Sequence, residues 1–412
     1  MPKFLSTFQC LECVGCRAQF DTQTPYLLCP KCDGLLDPQY DLTRMKAAAG
    51  RIRRRRTHDL WKWREFLPIT GDRNLVTLGE GGTPLLAVPR LATYCGVRQL
   101  WVKNDAVNPT GSLKDRSVPI AVTKACEFGY TAVSADSTGN KAASVAAYAA
   151  RAGLRSIVFC NTSTPKEKIL QTLAYGAKVI RVEGDYTAVN AFYKALLKSP
   201  ELHWYDCGTS NPYRYEGKKT YAYEIAEALD WQPPDRVVHP ANGGMSLAKT
   251  YKGFCELRAL GLIDRVPHMT VVQAEGYDPI VQAARRNTEM VPTAGGPTLA
   301  GALAGRDPGD LGLLALCAVR DSAGTGMTVN DQEIAAAVEQ LGRDGLFIEP
   351  SGAVAIAGLR KLVQQSVIDP EEKVVCVLTG SGFKDMQFFG RVELASPIKP
   401  DVDQALASLR EL

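Results

Sequence analysis

No window of about 18 or more uncharged apolar residues occurs in this chain, which excludes a transmembrane helix. The start, MPKFLSTFQC, lacks the apolar stretch of a secretory leader, so a cytoplasmic protein is expected. An excess of one charge is also missing: 48 basic residues stand against 44 acidic ones, too close to balance for a general nucleic-acid binder that works by displacing counterions. A small-molecule partner is expected instead, with no nucleic acid and no membrane. Internal repeats are absent, and the one low-complexity element is RIRRRRTH at 51–58, read as a solvated face or subunit contact. Hydrophobic residues at 45% and charged residues at 22% leave little chain for disorder, and 412 residues ask for two or three domains.

Cysteine is plentiful but unevenly placed. Seven of the twelve (Cys95, Cys126, Cys160, Cys207, Cys255, Cys317 and Cys376) stand singly along a core-rich chain, where a free thiol behaves as a small hydrophobe in a reducing compartment. The other five crowd into residues 10–32. Two Cys-x-x-Cys turns, Cys13 with Cys16 and Cys29 with Cys32, bring four thiolates within reach of one tetrahedral ion, and the twelve residues between them can return as a hairpin. A structural zinc ribbon over residues 1–40 is expected; Cys10 with Cys13 is the alternative first knuckle.

From residue 98 the pattern alternates. β-Branched runs (RQLWVK, TAVSA, SIVFC, KVIRV, RVVH, MTVVQ, KVVCVL) are separated by Ala- and Leu-rich helical stretches at 141–153 and 217–230, the latter with Tyr221, Ile225 and Leu229 on one face and Glu224 and Glu227 on another. This is an α/β pattern: parallel sheets covered by helices, with sites at the carboxyl ends of strands.

Five strand ends carry chemistry. NPTGSLKDR at 108–116 holds Lys114 between a strand and a helix near Ser117; the helix amino terminus and Arg116 are expected to lower its pKa, making it a Schiff-base candidate. STGN at 137–140 offers hydroxyls, a glycine and helix N–H groups to a carboxylate, with capping of the helix by Ser137 or Thr138 as the plain alternative. ANGGMS at 241–246 offers successive N–H groups and a hydroxyl to a phosphate. LTGSGFKD at 378–385 places Thr379 at a sheet edge as a neutral hydrogen-bond partner, and IEPSG at 348–352 opens a helix with Glu349 at its turn. Together they suit a cofactor that is both an aldehyde and a phosphate ester.

The series of segments resembles the threonine synthases, within the fold-type-II pyridoxal-phosphate (PLP) enzymes related to the tryptophan synthase β subunit. The cysteine knuckles, LGEGGTPL, NPTGSLKDR, STGN, SNPYRYEGKKT, HPANGG, IEPSGA and LTGSGFKD occur in the family's order over nearly the whole chain. The resemblance implies two open parallel-sheet α/β domains with the active site between them. Residues 41–110 and 212–400 would form the large domain, 111–211 the small one, and 401–412 a tail. It also implies a lyase in which Lys114 carries PLP and Asn242, Gly243, Gly244, Met245 and Ser246 hold its phosphate; a homodimer is expected separately, as the commonest symmetric assembly. Thr379 would face the pyridine nitrogen, and Asn140 the phenolic oxygen or the substrate. Ser137, Thr138 and Gly139 would receive the substrate α-carboxylate, and Arg214 an anionic side-chain group. A hydroxyl opposite the pyridine nitrogen gives a moderated electron sink, suited to β- and γ-elimination and replacement.

Departures cluster where the substrate side chain would lie: Ser117 after SLKDR, Lys141 after STGN, Gly208 where an asparagine is common, residues 242–246 in place of an asparagine-rich loop, and Ser381 within TGSG. Lys141 is the most informative of these. It is expected either to extend to solvent or, with Arg214, to bind an anionic group and change specificity. The implied reaction is O-phospho-L-homoserine plus water to L-threonine plus phosphate. The alternative is a paralogue doing β-replacement or elimination on another amino acid, such as a cysteate synthase using O-phosphoserine and sulfite. A catalytically silent ribbon-bearing regulator belongs to a different class, and retention of Lys114 argues against it.

Overall fold

The computed structural model describes residues 6–390 except 138, 163, 165, 185 and 200, together with 397, 400 and 402. The expected tail at 401–412 lies, apart from Val402, outside the described residues, as does Thr138.

Three sheets organise the chain. The first is small and antiparallel, with Phe8–Cys13 between Gln19–Phe20 and Leu36–Tyr40. The second has six strands in the order Thr325–Val329, His268–Ala274, Arg236–Pro240, Lys373–Leu378, Gln99–Asn104 and Leu85–Ala87. Only its last pair is antiparallel. The third has four parallel strands, Lys178–Val182, Arg155–Asn161, Ala132–Asp136 and Tyr205–Asp206. Two parallel sheets and a cysteine-bearing antiparallel one are the fold class that the sequence implied.

Both faces of the six-stranded sheet are covered, which is why its strands read as nearly unbroken apolar runs. Along Lys373–Leu378, Val374, Cys376 and Leu378 enter one core with the helices Asp331–Arg343 and Pro350–Gln364, while Val375 and Val377 enter the opposite core with Thr220–Ala228 and Met245–Ala259. All seven β-branched runs are strands. Thr325–Val329 went unseen because Gly326 interrupts its β-branched pattern; a Cβ there would come within 3.1 Å of the Val281 backbone. Leu85–Ala87 and Tyr205–Asp206 are too short to show periodicity.

The ribbon is not a detached bead. Phe8, Leu11 and Leu36 join one hydrophobic cluster with Val118, Ile120, Ala121 and Val133, so the ribbon rests on the core of the four-stranded sheet. The 51–58 run corrects its expectation in part: Arg55 turns inward to the Glu65 carboxylate at 2.9 Å, and Arg53 stacks on Trp231 at 4.6 Å. Glu224 does lie on another face from Tyr221, but that face is buried and ion-paired.

Candidate active site

Because the strands Gln99–Asn104, Arg236–Pro240 and Lys373–Leu378 run parallel, the segments that follow them emerge along one sheet edge. They are stitched together there. Leu113 N–H donates to Thr379 O at 2.8 Å, Ser381 N–H to Gly111 O at 2.9 Å, and Glu349 N–H to Gly380 O at 3.0 Å. From the other sheet, Asn140 reaches across: its Nδ2 donates to both Glu349 oxygens at 3.2 and 3.3 Å. The site therefore lies between the two parallel sheets.

Lys114 sits in the 3-10 turn Leu113–Arg116, whose first residues are capped by Ser112. The residues on either side are anchored. Asp115 accepts from Thr110 N–H, Thr110 Oγ1 and Ser144 Oγ, each at 2.7 Å. Arg116, fully buried, donates to Asp105 at 2.8 and 2.9 Å and to Glu224 at 2.6 and 2.9 Å. Lys114 Nζ itself has no hydrogen-bond or ion-pair partner among the described residues. Burial first, then the positive field of Arg214, lowers its pKa to about 8, with Lys141 adding to the effect. That corrects the expected cause: the charge of Arg116 is compensated by two carboxylates, and Arg214 supplies the field instead.

The phosphate candidates open the helix Met245–Ala259, where first-turn N–H groups lack intrahelical acceptors. Gly244 has φ +75, and a Cβ on it would lie 2.3 Å from that of Ala315, so only glycine fits. Asn242 is held by donation to Ala302 O at 3.2 Å, in space left free by Gly305. Ser246 Oγ and Thr379 Oγ1 have no protein partner among the described residues.

Around the substrate candidates, Ser137 Oγ accepts from the N–H groups of Gly139 at 3.3 Å and Ala142 at 3.2 Å, so it caps the helix Asn140–Arg151 and its own hydrogen stays free to donate. Lys141 does not extend to solvent. It is 8% exposed and donates to Asp136 at 2.8 Å, so the chain itself compensates its charge. Arg214 is buried against the Tyr215 ring, donates to Gly208 O at 2.8 Å, and leaves Nε unpartnered with no carboxylate in reach among the described residues. Gly208 is explained by its neighbour: a Cβ there would lie 2.5 Å from the Asp206 carboxylate.

Three residues in the site had no assigned role from sequence. Glu349 was visible only as a turn residue, although it is buried beside Lys114 and its carboxyl is held above the usual range by that burial. Lys218 lay unremarked inside SNPYRYEGKKT, and His239 inside HPANGG. Their signal was a basic residue within an otherwise glycine- and hydroxyl-rich segment.

In the ribbon, the sulfurs of Cys13, Cys16, Cys29 and Cys32 lie within 4.8 Å of one another. Zinc–sulfur bonds of about 2.3 Å give a tetrahedron with edges of about 3.8 Å, and the Cys13–Cys32 and Cys16–Cys29 separations are 3.5 and 3.6 Å. The group is consistent with zinc held by these four thiolates. Cys10 stands outside it, on the strand opposite Gln39, which removes the alternative knuckle.

Residues 76–380 match the family described as pyridoxal-phosphate dependent enzyme. The threonine synthase of Methanosarcina acetivorans is 40% identical over 380 residues, 92% of each chain, and that of Methanocaldococcus jannaschii 38% identical over 396 residues, 95% of this chain and 96% of the other. The chain belongs to the threonine synthase family of PLP-dependent enzymes. Solved structures share the fold at lower identity. A threonine deaminase from Solanum lycopersicum superposes with TM-score 0.64 at 21% identity, covering 75% of this chain and 81% of its own. A diaminopropionate ammonia lyase from Escherichia coli gives 0.63 at 16%, covering 93% and 97%. The site suits the family's cofactor: an unpartnered amine at Lys114, an unpartnered hydroxyl at Thr379, and a helix-opening glycine turn for a phosphate.

Proposed function

We propose that the chain is a threonine synthase, converting O-phospho-L-homoserine and water to L-threonine and phosphate. The observation that carries this reading is similarity to threonine synthases along more than nine-tenths of the chain. The site adds a cation, Arg214, buried without a carboxylate and suited to a phosphate ester. PLP would be held by Lys114, residues 242–246 and Thr379, and would supply the electron sink that makes carbon-bound protons labile.

The chain's own groups do the rest. Ser137, whose hydroxyl hydrogen has no acceptor among the described residues, and Gly139 hold the α-carboxylate; Thr138, assigned with them, lies outside the described residues. Lys114, with its amine already depressed to about 8, takes protons from Cα and Cβ as phosphate leaves Cγ, returns protons to Cγ and Cα, and guides water to Cβ, whose spare proton leaves with the phosphate. Arg214 neutralises the departing phosphate. Asn140, oriented by Glu349, presents its amide toward the cofactor's phenolic oxygen or the substrate. Lys141, paired to Asp136, acts through its field on Lys114 and is not itself the anion receptor.

The same reading takes 111–211 as a small domain beside a large one built from 41–110 and 212–400, supported by the separate four-stranded sheet at 132–206. It places the protein in the cytoplasm, supported by twelve cysteines free of disulfides, and takes a homodimer as the commonest symmetric assembly. The test is phosphate release by the PLP-loaded enzyme from O-phospho-L-homoserine and from O-phospho-L-serine, with the amino-acid product identified. Threonine from the first substrate is expected. Release from phosphoserine alone would transfer the assignment to a β-replacing paralogue.

A further inference from the structure

Ten lysines and arginines are buried among the described residues. Eight of them, including Lys62, Lys103, Arg116, Lys141 and Lys219, have a carboxylate within 4.0 Å. Arg214 and Lys218 have none. Lys218 is 6% exposed and makes no hydrogen bond or ion pair among the described residues, whereas its neighbour Lys219 is held by Glu216 at 3.1 Å and Glu256 at 2.9 Å. An ammonium taken out of water without a partner is strongly disfavoured, so its position needs an explanation beyond packing.

Geometry supplies one. Lys218 Nζ and the Arg214 guanidinium lie 5.6 and 4.6 Å from the centroid of the same Tyr215 ring. Tyr215 packs with Met245 and Ala248, at the start of the helix that opens from residues 241–246. The backbone pins the placement: a Cβ on Gly217 would fall 1.6 Å from Arg116 O, so the Lys218 turn is pressed onto the turn that carries Lys114. His239, at the end of the strand leading into 241–246, is fully buried with both ring nitrogens unpartnered. Burial, then the fields of Lys114 and Arg214, hold the Lys218 amine well below its ordinary pKa, and Lys218 in turn helps depress His239. The region is a cationic, incompletely bonded recess with glycine-turn N–H groups beside it.

We propose that Lys218 is a binding residue for a phosphate monoester dianion, completing with Arg214 a two-cation clamp against the turn at residues 241–246. A dianion answers two cations where a single carboxylate would leave one uncompensated. The inference deepens the threonine synthase reading and rests on it for one of two phosphate sources, the substrate's ester; the other is the 5′-phosphate of PLP.

The test uses the full-length enzyme as wild type, Lys218→Met, Lys218→Gln and Lys218→Arg. Three quantities are measured: the Kd of PLP by titrating resolved enzyme, the inhibition constant of inorganic phosphate, and KM against kcat for phosphohomoserine. Lys218→Met is expected to weaken one phosphate contact by about tenfold or more, with Lys218→Arg retaining most of it. A rise in the PLP Kd assigns the cofactor's phosphate. A rise in the phosphate inhibition constant together with KM assigns the substrate's. Removing an unpaired buried amine should leave the melting temperature of the resolved enzyme unchanged or raise it. Unchanged affinity for both PLP and inorganic phosphate would overturn the proposal. So would loss of folding in both Lys218→Met and Lys218→Gln, which would make Lys218 structural. If wild type binds PLP and inorganic phosphate yet does not turn over phosphohomoserine, the substrate reading fails while the binding measurements still decide on Lys218.

Discussion

Two clusters of buried charge lie side by side in this molecule and are built on opposite plans. Around Arg116, two cations (Arg116 and Lys103) meet two carboxylates (Asp105 and Glu224), with Thr83 and Thr220 filling the remaining donor positions. A few residues away, Lys114, Arg214 and Lys218 share a recess in which Glu349, and after it Asp115, are the carboxylates whose fields act on Lys114 without an ion pair to it. The first cluster is complete within the chain. The second is not closed in this way among the described residues, and in the function proposed above a ligand completes it and its imbalance prepares an amine for chemistry. Burial without compensation is costly in a fold and useful in a site.

The largest expected effect breaks the second cluster. Lys114→Ala should lower kcat by about 10³-fold or more, and borohydride should no longer fix cofactor to the chain. Fixation at another lysine would transfer the role. A finer version uses capture of PLP by resolved enzyme as a function of pH. The midpoint should lie near 8, not near 10.5, and Arg214→Met should move it upward, since Arg214 is the leading charge that depresses Lys114.

Breaking the first cluster should act on stability. Glu224→Gln leaves Arg116 and Lys103 short of one carboxylate and should lower the unfolding free energy by about 3–5 kcal/mol in urea titration. Arg214→Met removes a charge with no internal partner, so it should cost little stability while raising KM for a phosphate ester. Equal destabilisation by the two substitutions would erase the distinction between the clusters.

The sequence showed these clusters unequally. Lys114, residues 242–246 and Thr379 were legible because each follows a β-branched run and carries glycine or hydroxyl, and strand ends in parallel sheets converge. Compensation was not legible. Arg116 and Arg214 look alike in a sequence, yet one meets Asp105 eleven residues earlier and Glu224 on a helix 108 residues later, and the other meets the ring and hydroxyl of Tyr215 and the Gly208 carbonyl. Likewise nothing local in STGNK says that Lys141 folds back onto Asp136, five residues earlier, instead of reaching solvent or an anion.

The ribbon is an intermediate case, since its four thiolates are compensated only when a metal is present. Stripping zinc with a chelator should lower the melting temperature, because Leu11 and Cys13 share a cluster with the core of the four-stranded sheet. Kinetic constants measured well below the new melting temperature should be nearly unchanged. A loss of kcat without a loss of stability would place the metal's influence at the active site and not in the fold.

The smallest effect reads the uncompensated recess through His239. Burial first, then the fields of Lys218 and Arg116, depress its pKa from 6.5 to about 3. The folded chain therefore keeps the ring neutral while the unfolded chain protonates it. The stability this neutrality contributes is fully present above pH 6.5 and is lost as pH falls from 6.5 toward 3, at about 1.4 kcal/mol per pH unit for one proton. His239→Leu should reduce the acid slope of unfolding free energy by one proton in that window and leave the region above pH 7 unchanged in slope.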